Sequence, residues 1–455
     1  MTVKPEQAVY TLVVGLGKTG LSVVRYLRAL DETVIVVDSR DIPPGLNVLK
    51  SDFSDVELHT GIFNVSLFKN AHRIIVSPGV ALSEPALVEA KKNNIEITGD
   101  IDLFTHEVKA PVVGITGSNG KSTVTTLLTL MASRAGLNAV ASGNIGTPVL
   151  DSLDDSVGLY VLELSSFQLE TLQNLPMKAA VVLNISADHL DRYENLSAYA
   201  MSKQVIYENA DVLILNKDDV LAGQVSGLSF KSSTRQIRFT LSQPENNEFG
   251  LCTTGEAVYL CFGERQLIAV DALKLKGTHN LQNALAALAL GYAIGLSFDD
   301  MLDALKEFKG LSHRIQFVAE INNVTWINDS KATNVGATIA ALVGLPGKHV
   351  LLAGGEAKGA DFSELTEVVK QHCRAVVLFG KDAEMIRSVM PAGMIVESVD
   401  DMQSAVNAAR SLAQPGDNVL LAPACASFDM FKNFEHRGDV FMRSVEVLRD
   451  GVATS

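Results

Sequence analysis

The chain has 455 residues, of which 47% are hydrophobic and 20% charged. This balance is typical of globular proteins, and it excludes a largely disordered chain or a small disulfide scaffold. The length suits about two to four domains. The 38 Lys and Arg against 52 Asp and Glu give a net charge of −14, which argues against a general affinity for nucleic acid or anionic membranes.

Cysteine usage and the N-terminus indicate a compartment. The four cysteines are widely spaced and form neither a CxxC pair nor a zinc pattern, so we expect buried or inert thiols in a reducing environment; they are Cys252, Cys261, Cys373 and Cys425. Lys4 and Glu6 precede a short apolar run without the features of a signal peptide. The longest nearly apolar tract, residues 284–296, is too short to span a bilayer. We therefore expect a cytoplasmic protein without membrane insertion.

The first hundred residues predict a Rossmann-like domain. Strands are predicted at Tyr10–Gly15, Thr33–Asp38 and Arg73–Val76, with a helix at Lys18–Ala29. Apolar, β-branched runs that alternate with helical patterns are typical of βαβ units around a parallel sheet. We place this N-terminal domain at residues 1–105.

A glycine-rich turn follows the first of these strands, with the sequence Gly15-Leu16-Gly17-Lys18-Thr19-Gly20. Its glycines permit a tight turn and close approach of a pyrophosphate to a helix N-terminus, and Asp38 can accept hydrogen bonds from ribose hydroxyls. These residues alone leave open NAD(P), UDP or another diphosphate, and a purely structural turn. Arg40 could face a phosphate or remain a solvated charge.

The middle of the chain predicts a second α/β domain, residues 106–309. A strand at Ala110–Thr116 leads into a glycine-rich loop and a helix that ends near Ala135. Further buried strands are predicted at Leu159–Leu164, Ala179–Asn184 and Asp211–Asn216. Short alternating strands between about 236 and 272 predict a small antiparallel annex, and a helix at 279–294 follows it.

The loop of this second domain resembles a phosphate-binding loop. It reads Gly117-Ser118-Asn119-Gly120-Lys121-Ser122-Thr123. Small residues let backbone amides converge on phosphate oxygens, the lysine reaches the β- and γ-phosphates, and the hydroxyl suits Mg²⁺. The strict G-x-x-x-x-G-K-[ST] pattern is not met, because Ile115 stands where it requires glycine. We expect this domain to bind ATP or GTP.

Three further residues of the second domain have less certain roles from sequence alone. Glu163 closes a strand near the loop and is placed for Mg²⁺, although a lone glutamate at a strand end is commonly a surface residue. His189 lies between Asp188 and Asp191 after a neighbouring strand, and by itself it favours a structural role. Lys203 lies in a helical segment, where composition predicts an ordinary solvated lysine.

The last third of the chain predicts a Rossmann-like C-terminal domain, residues 310–455, so that the whole chain is α/β. Its strands are predicted at Val324–Asn328, His349–Ala353, Ala375–Phe379 and Asn418–Ala422. Two polar loops follow strands, at residues 328–334 and 422–429. Such loops suit carboxylate binding, yet similar clusters also simply cap helices.

Together these motifs resemble the Mur ligase family, the ATP-dependent amide ligases that build the peptidoglycan stem peptide. In that family the phosphate loop has the pattern T-G-[ST]-N-G-K-[ST]. This pattern does not require a glycine where Ile115 stands. The resemblance spans all three regions. Its other carriers are Gly143-Asn144-Ile-Gly146, Glu163-Leu-Ser-Ser-Phe-Gln168, Asp188-His189-Leu-Asp191-Arg192-Tyr193, His279-Asn280, His313-Arg314, Asn328-Asp329-Ser330-Lys331-Ala332-Thr333-Asn334 and Ser427-Phe428-Asp429-Met430-Phe431-Lys432-Asn433-Phe434.

The resemblance implies roles for the nucleotide and metal residues. Loop residues 117–123 would bind ATP, with Lys121 on its phosphates. The residues that would complete the ATP site are Asn280, Arg314 and Asp329. Two Mg²⁺ sites are implied, one held by Ser122 and Glu163 and the other by His189 and Lys203. Lys203 would be a carbamylated lysine, which reverses the reading from composition.

Within the family, the motifs are most similar to those of the member that adds D-glutamate to UDP-N-acetylmuramoyl-L-alanine. The uridine diphosphate would be held by Gly15, Leu16, Gly17, Lys18, Thr19, Asp38, Ser39, Arg40, Ser77, Pro78 and Gly79. Asn144 would contact the muramoyl-alanine part. The D-glutamate residues would be Lys331, Thr333, Ser427, Phe428 and Phe434.

The resemblance also implies how this enzyme would work. It would be a monomer, would form an acyl phosphate, and would close its third domain over the other two. Alternatives are another Mur-type or folylpolyglutamate-type ligase, an NAD-dependent oxidoreductase, and a non-catalytic nucleotide switch.

Overall fold

The computed structural model describes residues 9–225, 233–275 and 277–453. Lys4 and Glu6, on which the signal-peptide argument rests, lie outside the described residues. The α/β prediction is confirmed: the described residues form three sheets of five, nine and six strands, each flanked by helices.

The first sheet is entirely parallel, in the order β3-β2-β1-β4-β5. Its strands are β1 (Thr11–Val14), β2 (Val34–Asp38), β3 (Glu57–Thr60), β4 (Arg73–Val76) and β5 (Glu96–Thr98). The helices are α1 (Lys18–Ala29), α2 (Leu46–Asp52), α3 (Val65–Asn70), α4 (Pro85–Lys92) and α5 (Asp100–Glu107). The strand order reverses between β1 and β4, so the loops after these strands form a crevice, which is where ligands bind in such folds.

The second sheet has the order β14-β13-β12-β11-β10-β9-β6-β8-β7. Its parallel strands are β6 (Val112–Thr116), β7 (Ala139–Gly143), β8 (Leu159–Glu163), β9 (Ala179–Val182), β10 (Val212–Asn216) and β11 (Arg235–Phe239). The helices are α6 (Lys121–Arg134), α7 (Ser166–Leu169), α8 (Leu196–Gln204), α9 (Val220–Gly223), α10 (Thr278–Ala293) and α11 (Phe298–Glu307). Because β6 lies between β8 and β9, the loops after all three strands meet at one edge of the sheet.

The predicted antiparallel annex continues this same sheet. It consists of β12 (Glu248–Thr254), β13 (Ala257–Phe262) and β14 (Arg265–Ala269), which pair antiparallel. The prediction is wrong for β11, which begins at the predicted start of the annex but pairs parallel with β10. The expectation that all four cysteines are thiols is also wrong, because Cys252 on β12 and Cys261 on β13 form a disulfide. The cysteines at 373 and 425 are free and buried.

The third sheet has the order β15-β16-β20-β17-β18-β19, and only the β15–β16 pair is antiparallel. The strands are β15 (Gln316–Ile321), β16 (Val324–Asn328), β17 (His349–Gly354), β18 (Cys373–Phe379), β19 (Ile395–Ser398) and β20 (Asn418–Leu421). The helices are α12 (Val335–Gly344), α13 (Leu365–His372), α14 (Ala383–Ser388), α15 (Met402–Leu412) and α16 (Phe434–Ala453).

Buried aliphatic side chains on both faces of each sheet hold these layers together. Strand β6 is buried along its whole length, and α6 and α10 cover one face of it. The predicted boundaries near 105 and 310 fall within α5 and between α11 and β15. None of the helices in the described part of the chain is both long and apolar enough to cross a membrane.

Candidate active site

The loop between β6 and α6 is held in place by Asn184, which follows strand β9. The side chain of Asn184 accepts a hydrogen bond from the backbone N–H of Asn119 at 2.9 Å and donates one to its carbonyl at 3.1 Å. Gly120 has a φ of 85°, and a Cβ there would lie 2.3 Å from an oxygen of Asn283. Gly120 is also the N-cap of α6 and has no side chain with which to cap it. The first N–H groups and the dipole of this helix are therefore free to bind an anion.

Lys121 lies over this loop. Its Nζ donates hydrogen bonds to the carbonyls of Gly117 and Ser118 at 2.8 and 2.9 Å. Burial lowers the pKa of Lys121, and the charge of Glu163 opposes the shift. Phosphate-binding loops bind a polyphosphate with this arrangement, a lysine beside a concave loop of backbone N–H groups.

Glu163, at the end of β8, has a free oxygen in the site. The carboxylate is 3% exposed, and its Oε1 accepts a hydrogen bond from the side-chain amide of Asn144 at 2.9 Å. Its Oε2 is buried, and no hydrogen-bond donor among the described residues reaches it. A buried carboxylate oxygen costs free energy when it is left unpaired, so this atom suits a cation.

His189 lies at the opposite side of the same sheet edge, in the loop that follows β9. Its backbone has a φ of 55°, and its ring packs edge-on against Phe167 at 4.7 Å between centroids. Nε2 lies 3.8 Å from Asp188 Oδ1. Burial lowers the pKa of His189, which favours the neutral imidazole that binds metals.

Lys203, on α8, differs from the solvated lysine that composition predicts. It is 2% exposed, and its Nζ lies 4.7 Å from the centre of the Tyr199 ring. Burial lowers the pKa of Lys203 well below its usual value, and the charge of Lys121 adds to the effect. Burial therefore favours the neutral form of this amine, which lies in the same cavity as Asp188 and Glu163.

Residues of α10, of the segment between α11 and β15, of the loop after β16 and of α12 form a small polar pocket of about 80 Å³ against the phosphate loop. Asn280 lines it, and its side chain accepts a hydrogen bond from Asn283 at 3.2 Å. Arg314 donates to Ser122 Oγ at 2.8 Å, across the boundary between the second and third sheets. Burial raises the pKa of Asp329 to about 7, although Arg314 acts in the opposite direction.

The third sheet contributes a basic and aromatic wall. Lys331 Nζ lies 4.0 Å from the centre of the Phe434 ring. Burial lowers the pKa of Lys331 to about 8, with a further contribution from the charge of Arg314. Thr333 and Ser427 line the same wall. Phe428 also lines it but is 65% exposed.

One cavity of about 430 Å³ brings most of these side chains together. It joins the phosphate loop, the strand-end residues of the second sheet and the basic wall of the third. The predicted residues that line it are Ser118, Asn119, Gly120, Lys121, Ser122, Asn144, Glu163, His189, Lys203, Arg314, Lys331, Thr333, Ser427, Phe428 and Phe434. Gly117 lies beneath Lys121, and Thr123, Asn280 and Asp329 line the smaller pocket instead.

A second cleft of about 440 Å³ follows the first sheet's crevice. The predicted residues that line it are Gly15, Gly17, Lys18, Thr19, Asp38, Ser39, Arg40, Ser77, Pro78 and Gly79. Leu16 is fully buried, and its backbone N–H donates to Asp38 at 2.7 Å. Asp38 is also bound by the Arg40 guanidinium, at 2.6 and 2.8 Å. Asp38 therefore orients Arg40 and Leu16. Asn144 lines both this cleft and the central cavity, so it connects them.

Four further residues of the cavity are not among the predicted site residues. Asn334 and Tyr199 are buried there, and Phe167 and Lys358 open into it. Asn334 and Phe167 belong to motifs that carry the resemblance, which was the available signal. Tyr199 sits one helical turn before Lys203, a spacing that placed it on the same helix face. Lys358 had no signal.

Metal binding at this site would depend on more than the side-chain acids. No group of three or more His, Cys, Asp or Glu side chains converges anywhere in the described ranges. Mg²⁺ keeps several waters and often binds through one or two carboxylates plus substrate phosphates. The free Oε2 of Glu163 and the neighbouring Ser122 hydroxyl fit such a site, and Lys203 fits it if its amine gains oxygen atoms.

Comparison with protein families gives three matches that follow the three sheets. Residues 9–99 match "Mur ligase MurD-like, N-terminal domain", residues 115–291 match "Mur ligase middle domain", and residues 313–425 match "Mur ligase, glutamate ligase domain". A protein of Nitrosococcus oceani named "UDP-N-acetylmuramoylalanine--D-glutamate ligase" is 50% identical over 97% of both chains. One of Pseudomonas aeruginosa with the same name is 48% identical, covering 96% of this chain and 98% of its own.

Solved structures show the same fold at lower identity. A pseudomurein peptide ligase type C from Methanothermus fervidus aligns with a TM-score of 0.61 at 20% identity, covering 96% of this chain and all of its own. UDP-N-acetylmuramate-alanine ligase from Thermotoga maritima gives 0.60 at 17%, covering 96% and 99%. These likenesses concern the fold.

Proposed function

The chain belongs to the Mur ligase family, and from this premise we propose that it is the ATP-dependent ligase that joins D-glutamate to UDP-N-acetylmuramoyl-L-alanine. Relatives that bear this activity in their name are about half identical to it over almost its full length. The same comparisons do not favour a nicotinamide-dependent oxidoreductase. The turn that suggested NAD(P) lies in the region that matches the N-terminal domain of these ligases.

The observation that carries the proposal is the convergence of three binding regions on one cavity. The phosphate loop of the second sheet and the basic wall of the third open into it, and Asn144 connects it to the cleft of the first sheet. An amide ligase needs a nucleotide, an acid and an amine within reach of one another. A simple nucleotide switch does not explain why Lys331 and Phe434 face the phosphate loop.

The residues fit ATP and magnesium. Gly117 to Thr123 would hold the phosphates, Lys121 would turn from its own loop carbonyls to the γ-phosphate, and Arg314 would leave Ser122 free. Glu163 and Ser122 would bind one Mg²⁺, and His189 with Lys203 a second. When bound, Mg²⁺ supplies positive charge to the transferring phosphoryl group.

The first chemical step would activate the alanyl carboxylate. A carboxylate oxygen attacks the γ-phosphorus of ATP, the bond to the β,γ-bridging oxygen breaks, and the products are an acyl phosphate and ADP. Asn144 lines both clefts and would orient this carboxylate. Lys121 neutralises charge on the phosphoryl group, where positioning and electrostatics supply most of the rate.

The second step would form the amide. The neutral amine of D-glutamate attacks the acyl carbon, a tetrahedral species forms, and inorganic phosphate leaves as the nitrogen gives up a proton. Lys331, Thr333 and Ser427, which line the cavity, would hold the carboxylates of D-glutamate. Phe434 shields Lys331 from water, so the ion pair would form in a site of low dielectric.

Lys203 is suited to carbamylation. Only a neutral amine attacks CO₂, and burial favours that form because it lowers the pKa of Lys203. The resulting carbamate carries two oxygens and a negative charge, which are the donors that a hard cation prefers.

Every residue named in this scheme comes from one chain, and we propose that the protein works as a monomer in the cytoplasm. The two-step chemistry can be tested with ¹⁸O in the alanyl carboxylate of UDP-N-acetylmuramoyl-L-alanine. After reaction with ATP, Mg²⁺ and D-glutamate, we expect one labelled oxygen in inorganic phosphate for each amide formed. An unlabelled phosphate pool alongside amide product would exclude the acyl phosphate.

A further inference from the structure

Arg192 joins the cleft of the first sheet to the loop that carries His189. Its guanidinium donates hydrogen bonds to the carbonyls of Pro78 and Val80, at 3.0 and 3.2 Å. Both carbonyls belong to the loop after β4, which lines the cleft proposed for uridine diphosphate. The same guanidinium forms an ion pair with Glu170 at 2.5 Å. One planar cation therefore holds a loop of the first domain against the second.

The contacts of Arg192 continue toward the metal residues. Its guanidinium carbon lies 4.1 Å from the centre of the Phe167 ring, and that ring packs edge-on against His189. Glu170 also accepts a hydrogen bond from Tyr193 at 2.6 Å. The side chains of Arg192 and Glu170 are only 14% and 15% exposed, so solvent screens their ion pair weakly.

We propose that Arg192 is a positioning residue that fixes the loop after β4 relative to His189. A substrate bound in the first sheet's cleft would then have its alanyl carboxylate at the phosphate loop. This inference rests on the proposed function, because it concerns where the alanyl end of UDP-N-acetylmuramoyl-L-alanine is held. Only a guanidinium has the geometry for this arrangement. Its nitrogens can reach two carbonyls and a carboxylate in one plane while its face covers a ring.

A second contact between the same two domains serves as a matched control. Arg25 on α1 forms an ion pair with Asp151, which lies outside both clefts. Its side chain is 50% exposed. If Arg192 merely strengthened the attachment of the first domain, loss of either arginine would have the same kind of effect.

The test compares Arg192→Met, Arg192→Lys and Arg25→Met in the full chain. Binding of UDP-N-acetylmuramoyl-L-alanine is measured by calorimetry without ATP, and steady-state kinetics follow. For Arg192→Met we expect binding weaker by about tenfold or more, since three charge-assisted contacts are lost. We also expect a lower kcat, with KM for ATP and D-glutamate unchanged. Arg192→Lys should remain impaired, and Arg25→Met should match the unsubstituted protein.

Rescue distinguishes positioning from folding. In Arg192→Ala, added methylguanidinium should restore turnover and methylammonium should not. Binding and turnover of Arg192→Met and Arg192→Lys equal to those of Arg25→Met would overturn the inference. If the unsubstituted protein failed to bind UDP-N-acetylmuramoyl-L-alanine, the proposed function itself would be wrong. The two failures are therefore distinguishable.

Discussion

Asn119 and Asn334 exchange hydrogen bonds through their side-chain amides, at 3.2 and 3.3 Å. Asn119 belongs to the phosphate loop of the second sheet, and Asn334 begins α12 beside the third. Asn334 also donates to Asp188 at 3.1 Å and caps its own helix through Ala337. The side chain of Asn334 thus connects the third domain to both the phosphate loop and the loop that contains His189.

Asn334→Asp should impair closure while leaving the fold intact. Aspartate caps a helix as well as asparagine does, but its carboxylate would face that of Asp188. We expect kcat to fall by about tenfold or more, as for loss of a positioned catalytic group. X-ray scattering should show less compaction with an ATP analogue and substrate. Asp401→Asn, which changes the cap of α15 in the same domain, is the control. Equal compaction and turnover in both variants would contradict the role of Asn334.

Lys203→Ala should lose activity that short carboxylic acids restore. A carboxylate can occupy the space of the carbamate and supply oxygen donors, whereas an amine of similar size cannot. The measurement is turnover in the presence of acetate, propionate or the matching alkylamines. In the unsubstituted protein, ¹³CO₂ should give a carbamate signal in carbon NMR that Lys203→Ala lacks. Full activity of this variant without additives would remove Lys203 from the site.

Asp329→Asn should stabilise the protein at neutral pH, and on the proposed function it should also weaken ATP binding. The carboxyl titrates near pH 4 in the unfolded chain and at about 7 in the folded one. Between these values only the folded state keeps the proton, so the free energy of unfolding falls as pH rises and is constant above about 7. Asparagine removes this loss, which is of the order of a few kcal/mol. Denaturant unfolding from pH 4 to 8 checks the slope, and identical slopes for the two proteins would refute the assignment.

The affinity for D-glutamate should decline in alkaline solution. Lys331 binds a carboxylate only when protonated, and burial lowers its pKa to about 8. KM for D-glutamate should therefore rise as the pH increases through about 8, while KM for the UDP-linked substrate stays flat. Lys331→Arg keeps its charge at these pH values and should flatten the profile. A rise in KM that persists unchanged in this variant would assign the titration to another group.

The fold and the phosphate loop could be predicted from the sequence more fully than the roles of the other site residues. Apolar strand runs ending in glycine turns are local signals, so the strand at β16 and the helix at α1 agree with the structure at both ends. Lys203 could not be singled out locally, because its burial comes from the tertiary packing of α8, which includes contacts with α7 and α9. Asp38 illustrates the same limit: sequence predicts a ribose contact, and the structure adds Arg40 as its partner. Strand β11 was misassigned because alternation of side chains does not reveal the direction of pairing.

The central claim is that one cavity couples ATP cleavage to amide formation between two specific substrates. Its most direct test is phosphate release from ATP and Mg²⁺, with UDP-N-acetylmuramoyl-L-alanine and D-glutamate added separately and together. We predict release only with both, none with L-glutamate, and a loss of at least about a hundredfold in a folded Lys121→Ala variant. Release without either substrate, or equal release with L-glutamate, would contradict the account.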